Sequence, residues 1–420
     1  MRPGACRYIR PTGTVFAVFC GAALLADISP AQAQALVHFA PSPTPPPPAA
    51  QLEGEPDVSP LLDPLYDRYL GWKEQLQQQY HIEYSVELSL LPQWASPRGG
   101  FGGLDFIWSP GLSWQPFADS GIGSGKVTFW AQQNQFWAGP NTTVFQERAG
   151  LLTPPSDWGP NATDYAVLTY THTLPDDWRW LSATFGQYSF SAYDGNEYAG
   201  NFINYALAQN ATSTYVSGDL GRLSPSRSTG AGRGLVLAGG FQGAANFSGS
   251  SFMTRGLASG KEAYFGAARW SPNVLAGGVY GLLWYSQPAL PSLETTASRG
   301  LSFSAVQNVD HDWGLFLRAN TVSGRSSVIA GSVAWGVVRN DPFRRDPLDR
   351  VGFGLVWDKT NLAAVAAPAR PAEWISEICY DYTIFKGLRV TPDIQYYFDP
   401  ALTPHSGPIA VFTLRTTLVF

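Results

Sequence analysis

Arg389, Thr391, Asp393, Gln395 and Tyr397 stand at every second position of one stretch, with Leu388, Val390, Pro392, Ile394, Tyr396 and Phe398 between them. A period of two puts the polar and apolar sets on opposite faces of a β-strand. The same parity places Arg269, Arg318, Arg350, Glu377 and Arg415 on polar faces of their own stretches. Guanidinium, carboxylate, amide and phenol groups can exchange hydrogen bonds with a passing polar solute at small net cost. They do not make or break covalent bonds unaided. Residues that could do so are scattered. The histidines, at 38, 81, 172, 311 and 405, lack close metal-ligand pairing, so no metal site is expected. Gly121 to Lys126 superficially resembles a phosphate loop, but Ser120 replaces its first glycine and Val127 its final hydroxyl residue. No G-x-S-x-G elbow occurs. His172 and His311 lie in strand-like sequence with no evident serine or aspartate partner, which argues against a hydrolase. No catalytic residue and no cofactor are expected.

The elements that must carry these side chains alternate along most of the chain. Tyr84, Val86, Leu88 and Leu90 oppose Ser85, Glu87 and Ser89. Trp313, Leu315 and Leu317 oppose Gly314, Phe316 and Arg318; Val351, Phe353, Leu355 and Trp357 oppose Gly352, Gly354, Val356 and Asp358. The final segment does the same: Phe412, Leu414, Thr416, Leu418 and Phe420 share one parity, and Val411, Thr413, Arg415, Thr417 and Val419 the other. Trp284, Trp357 and Tyr396 fall at strand ends, as interfacial aromatic belts do. Between strands, Gly-, Pro-, Asn- and Ser-rich loops are expected at 138–163, 221–234, 286–299, 339–347 and 361–372.

Charged residues are 14% of the chain, against roughly a quarter in soluble domains. Aromatics are also 14%, with 15 Trp and 43 Gly. Beyond the amino terminus no apolar run approaches the ~20 residues of a membrane helix. A membrane protein without such helices is a closed barrel, because open strand edges in lipid leave backbone groups unsatisfied. A secreted soluble sandwich would share this composition, and a single alternating strand does not separate the two.

The termini favour the membrane. Arg2, Arg7 and Arg10, the apolar run Val15–Ala26 and the small residues Ala31 and Ala33 read as a secretory signal peptide over 1–33. Cleavage after Ala33 would remove Cys6 and Cys20 and leave Cys379 alone, so no internal disulfide is expected. It would also take three Arg and one Asp from totals of 27 Lys+Arg and 32 Asp+Glu, leaving a net charge of −7. That is no basis for binding nucleic acid. Residues 34–57, with PSPTPPPP at 41–48, are expected as an extended linker. Residues 58–82 are expected as a short periplasmic helical segment, the chain's one convincing helix, on the spacing of Leu65, Tyr69, Trp72 and Leu76. The strand ending on Phe420 resembles the carboxy-terminal signature that the barrel-assembly machinery reads in bacterial outer-membrane proteins. Residues 83–420, at about 20 per strand and connection, give an all-β, transmembrane antiparallel barrel of about 16 strands. A barrel of that size leaves an aqueous lumen.

Three separated segments resemble the OprB family of carbohydrate-selective porins. Phe185-Gly186-Gln187 is followed by Asp194, Asn196, Tyr198, Ala199, Phe202, Asn204, Ala206 and Leu207 in the family's D-x-N-x-Y-A and F-x-N-x-A-L spacing. Asp349-Arg350-Val351-Gly352-Phe353-Gly354 resembles its D-R-hydrophobic-G-hydrophobic-G strand. Glu377, Tyr380, Pro392, Asp393, Gln395, Tyr396 and Pro400 resemble its late hairpin. The resemblance runs over roughly residues 65 to 420; the proline tract is not a family feature, and 208–340 carries no shared motif. It implies an outer-membrane pore through which mono- and small oligosaccharides diffuse passively, and it favours a monomer. The expected partners are sugars, outer-membrane lipid and the assembly machinery. Arg269, Arg318, Arg350, Glu377, Arg389, Asp393, Gln395, Tyr397 and Arg415 are the lumen-facing candidates for a sugar track, and Phe420 the candidate assembly signal. A second reading is an outer-membrane component of polysaccharide export or surface attachment, with the Pro-rich segment as a docking arm.

Overall fold

The computed structural model describes residues 59–96, 102–152, 155, 162–178, 181–188, 218–229, 233–243, 262–272, 275–289, 296–325, 328–365 and 368–420. The expected signal peptide and the whole of the expected linker lie outside these residues, as do Asp194 through Leu207 of the first family motif.

Within this range the strands are β1 (Ile82–Ser96), β2 (Gly102–Ser120), β3 (Gly123–Ala138) and β4 (Ala162–Thr173). They continue as β5 (Leu181–Tyr188), β6 (Gly218–Thr229), β7 (Arg233–Gly243) and β8 (Glu262–Ser271). Next come β9 (Gly278–Gln287), β10 (Ser298–Asn308), β11 (Trp313–Val322) and β12 (Ile329–Asn340). The last are β13 (Arg350–Thr360), β14 (Ala372–Phe385), β15 (Leu388–Tyr397) and β16 (Ile409–Val419). Each pairs with its sequence neighbours, and β1 pairs with β16 to close the ring. The closing ladder is antiparallel, from Glu87 opposite Val419 to Ser96 opposite Ala410. Phe420 extends it by one residue: its N–H donates to the Val86 carbonyl at 2.9 Å and its carbonyl accepts from Val86 N–H at 3.0 Å.

Alternation decides which face each side chain takes. Along β14, Glu373, Ile375, Glu377, Cys379, Asp381 and Thr383 are buried, while Trp374, Ile378, Tyr382 and Ile384 are exposed. Trp108, Leu282, Trp284, Leu301, Leu315, Trp335, Phe353, Ile394 and Leu414 are exposed on the same outer surface. At roughly half exposure each such side chain forfeits about 1 kcal/mol in water. Ten would cost on the order of 10 kcal/mol, the whole margin of a typical domain. An apolar belt of this extent belongs in lipid.

Among the described residues two α-helices flank the wall. α1 (Asp63–Tyr80) starts with Pro64 in its first turn and ends at His81 in the left-handed region. It lies along the rim that carries both ends of the barrel chain. Tyr66 donates to the Val419 carbonyl at 2.8 Å, and Asp63 accepts from Lys386 N–H at 2.8 Å. Lys386 Nζ, in the β14–β15 turn, sits 3.0 Å from the Asp67 carboxylate, and the Tyr66 ring packs on Phe385 at the end of β14. α2 (Thr142–Ala149) sits in the β3–β4 connection, at the opposite end, inside the wall. Phe145, Ala149 and Leu151 join the buried cluster with inward-facing Leu91, Val306, Phe316, Ala334, Val338, Val356, Ile375, Ile409 and Val411.

Two expectations need correction. The Gly-, Ser- and Pro-rich run at 221–234, read as a loop, is mostly β6. Its backbone is paired on both sides, to β5 and β7, and that pairing overrides weak local strand propensity. The expected single helix is also joined by α2, hidden within the stretch assigned to a loop at 138–163.

Candidate functional site

The inward connection after β3 sets the shape of the interior. Asn141 caps α2, its side-chain oxygen accepting from Val144 N–H at 2.9 Å. Gly150 ends it with φ of 72°. A Cβ at Gly150 would also lie 2.2 Å from the Thr403 hydroxyl, so both conformation and space call for glycine there. Beyond it the chain is stapled to the wall: Leu402 N–H donates to the Gly150 carbonyl at 2.9 Å. Glu373 accepts from Leu152 N–H at 3.3 Å and from Ala401 N–H at 2.8 Å. Gln395 Nε2 donates to the Pro155 carbonyl at 2.7 Å. Opposite, the Phe316 ring lies over Gly336, where an added Cβ would come within 2.6 Å of it.

The nine candidate solute-track residues share the inward parity of their strands but fall into two groups. Arg269 is exposed, Arg350 and Arg415 half-buried, and the Arg389 side chain 44% exposed. Arg318, Glu377, Asp393, Gln395 and Tyr397 are buried, at 5% exposure or less. The structure joins several of them. Tyr397 donates to Gln395 Oε1 at 2.6 Å, and Gln395 Nε2 reaches Asp393 Oδ1 at 3.2 Å, a ladder along the inner face of β15. Thr391 donates to Asp381 at 2.7 Å, and Arg389 lies 3.7 Å from the same carboxylate. Arg415 bonds Glu87 at 2.8 Å and Ser89 at 3.2 Å across the closing seam. Arg350 donates to Asn340 at 3.0 Å. Arg269 sits apart from these, opposite Val236 and Gly281.

Among the described residues four buried inward carboxylates escaped the sequence reading as site residues: Asp105, Asp358, Glu373 and Asp381. Glu373, Glu377 and Asp381 repeat every fourth residue of one strand, which fixes them on one face; that signal was available. With Asp358 on β13 and Asp393 on β15 they form an acidic sector on three adjacent strands. Arg389 stands at its edge near the α1 rim. What such a wall can do is hydrogen-bond, attract or repel, and hold shape. Among the described residues no group of three His, Cys, Asp or Glu could hold a metal ion. His172 is engaged locally, 3.1 Å from the Tyr170 hydroxyl and 2.9 Å from the Ile122 carbonyl.

An antiparallel wall with a lipid-suited outer face, a polar inner face and an inward-folded connection is the architecture of a porin, a channel of the bacterial outer membrane. The chain belongs to the OprB family: the model of that family, described as carbohydrate-selective porin, matches residues 109–420. It is similar to Porin AaxA of Chlamydia pneumoniae, 29% identical over 393 residues, covering 86% of this chain and 87% of that protein. Porin AaxA of Chlamydia trachomatis serovar L2 is 28% identical over 398 residues, covering 85% and 84%. Among solved structures, the high-pH structure of Pseudomonas putida OprB aligns with a TM-score of 0.69 at 16% identity, over 84% of this chain and 97% of that one. Salmonella typhi OmpF in complex with daunomycin aligns at 0.55 and 11% identity, over 81% and 97%.

Proposed function

We propose that this porin passes mono- and small oligosaccharides by passive diffusion, with the inward polar row of β15 and its neighbours as the sugar track. The observation that supports this is the spacing of Arg389, Thr391, Asp393, Gln395 and Tyr397 at one per two residues along a single inner face. Sugar hydroxyls trade bonds with Arg389 at the accessible end of this row and with Arg269, Arg350 and Arg415, and binding stays weak because each exchange is worth only ~1 kcal/mol net. Accessible Arg269, Arg350, Arg389 and Arg415 meet solute directly. Buried Glu377, Asp393, Gln395, Tyr397 and Arg318 set the rigidity and field of the wall behind. Sixteen strands leave a water-filled lumen at this size. The test is swelling of proteoliposomes in isotonic sugar. Uptake should fall with sugar size, and Arg389→Ala should alter glucose entry several-fold; identical entry for every sugar and variant would leave only a general pore.

The finer topology follows from the same reading. The rim bearing α1 faces the periplasm, after a signal peptide at 1–33 and a linker at 34–57, and the barrel occupies 83–420. A monomer is the favoured state. Phe420 is the residue read by the assembly machinery, consistent with its backbone bonds to Val86 at the seam. Phe420→Ser should lower the folded, heat-modifiable fraction in outer-membrane preparations; an unchanged fraction would remove that role.

A further inference from the structure

We propose that α1 is a membrane-surface collar, with Leu61, Leu65 and Trp72 seated in the headgroup and acyl boundary of the lipid around the barrel. Leu61, Leu65, Tyr69, Trp72 and Leu76 recur at intervals of four and three, a single stripe on the helix and the turn before it. The barrel covers only one edge of the apolar side: Tyr66 and Leu70 are buried with Leu348 and Phe385. The rest is bare, with Leu61, Leu65 and Trp72 at 75%, 57% and 52% exposure. Arg68 and Gln75 border the stripe, as long polar side chains do at an interface, and Glu74 and Gln78 lie on the far side of the helix from it.

The occupant is argued from where the stripe lies. Trp72 meets Tyr84 edge-on at 6.1 Å, and Tyr69 meets Phe420 edge-on at 6.4 Å. Tyr84 lies near the start of the outward row of β1 that continues through Val86 and Leu88, and Phe420 ends the outward row of β16 after Leu414 and Leu418. These rows belong to the apolar belt, so the stripe prolongs an existing lipid-facing surface past the rim instead of turning into the lumen. Lys73, 4.9 Å above the Tyr84 ring, puts its charge at the same level, where Lys and aromatic anchors mark the interface. An amphipathic helix so placed buries its apolar face ~5–10 Å into the boundary. This holds whether or not the pore selects sugars.

The test places single cysteines at Leu65, Glu74 and lipid-facing Leu282, with Cys6, Cys20 and Cys379 replaced by Ala. Each is labelled with an environment-sensitive fluorophore and refolded into phospholipid vesicles, with folding checked by heat-modifiable migration. The Leu65→Cys label should be quenched by brominated lipid several-fold more than by aqueous iodide, as at Leu282→Cys, with the reverse at Glu74→Cys. Should Leu65→Cys fail to fold, Leu61→Cys reads the same stripe. Iodide quenching at the stripe equal to that at Glu74→Cys would overturn the collar, and so would protection from both quenchers, which signals cover by protein.

Discussion

Asp349 shows how one side chain can hold a turn. Its carboxylate accepts from Tyr380 Oη at 2.7 Å, Thr383 N–H at 2.8 Å and Arg345 Nε at 2.9 Å, and Arg345 Nη2 adds a further short contact. Arg345 in turn stacks over Tyr382 at 3.9 Å and donates to the Thr383 carbonyl at 2.9 Å. The adjacent Asp349 and Arg350 thus have a bracing role: the first residue ties the β12–β13 turn to β14, the second bonds Asn340. Asp349→Ala would leave several donors without an acceptor, a loss of about 2–3 kcal/mol; a lowered urea midpoint for the folded barrel would check it. Tyr66 is the corresponding staple for α1. Burial, aided by the nearby Tyr84, pushes its phenol up to about 12. The folded state therefore holds the proton more tightly than the unfolded chain, whose phenol titrates near 10. Its contribution to docking is complete below pH ~10 and is lost as pH rises through about 12. Release of α1, followed by a label on the helix, should occur in that window in the native chain, and Tyr66→Phe should weaken docking by ~1 kcal/mol at neutral pH.

At the scale of elements, the strands were the most legible part. Period-two alternation in β1, β11, β13, β15 and β16 named the outward residues, because lipid on one side and polar wall on the other enforce a strict two-sided code. What alternation did not reach was where tertiary pairing or a short helix overrides composition. β6, GDLGRLSPSRST, has a turn-rich composition, yet its backbone pairs with β5 on one side and β7 on the other. α2 spans eight residues behind Gly139 and Pro140, though its Asn141 cap and Gly150 terminator were readable signals. The solute-track candidates were legible as a face but not as depths, since burial of Gln395 and Tyr397 depends on a connection from more than two hundred residues earlier in the chain. That connection rests on apolar contacts of Phe145, Ala149 and Leu151. Leu151→Asp would set a charge among them and expel the loop from the wall. Unit conductance should rise while the barrel stays folded; an unchanged conductance would mean that the loop does not narrow the path.

For the whole molecule, one inversion explains the composition. Large apolar side chains point out, and Glu377, Asp393, Asp358 and Arg318 point in. Few charges are needed overall because lipid disfavours them along the middle of the outward face, in keeping with a charged fraction of 14%. The same inversion makes the interior the place for solute recognition. The central claim, a water-filled pore whose accessible inward arginines exchange hydrogen bonds with sugars, is tested most directly by single-channel conductance of the refolded chain in a planar bilayer, titrated with glucose and then with longer sugars. The account predicts stable open channels whose current falls at millimolar sugar, with Arg389→Ala shifting that concentration. Stable channels indifferent to every sugar, or a folded barrel that conducts no current, would contradict it.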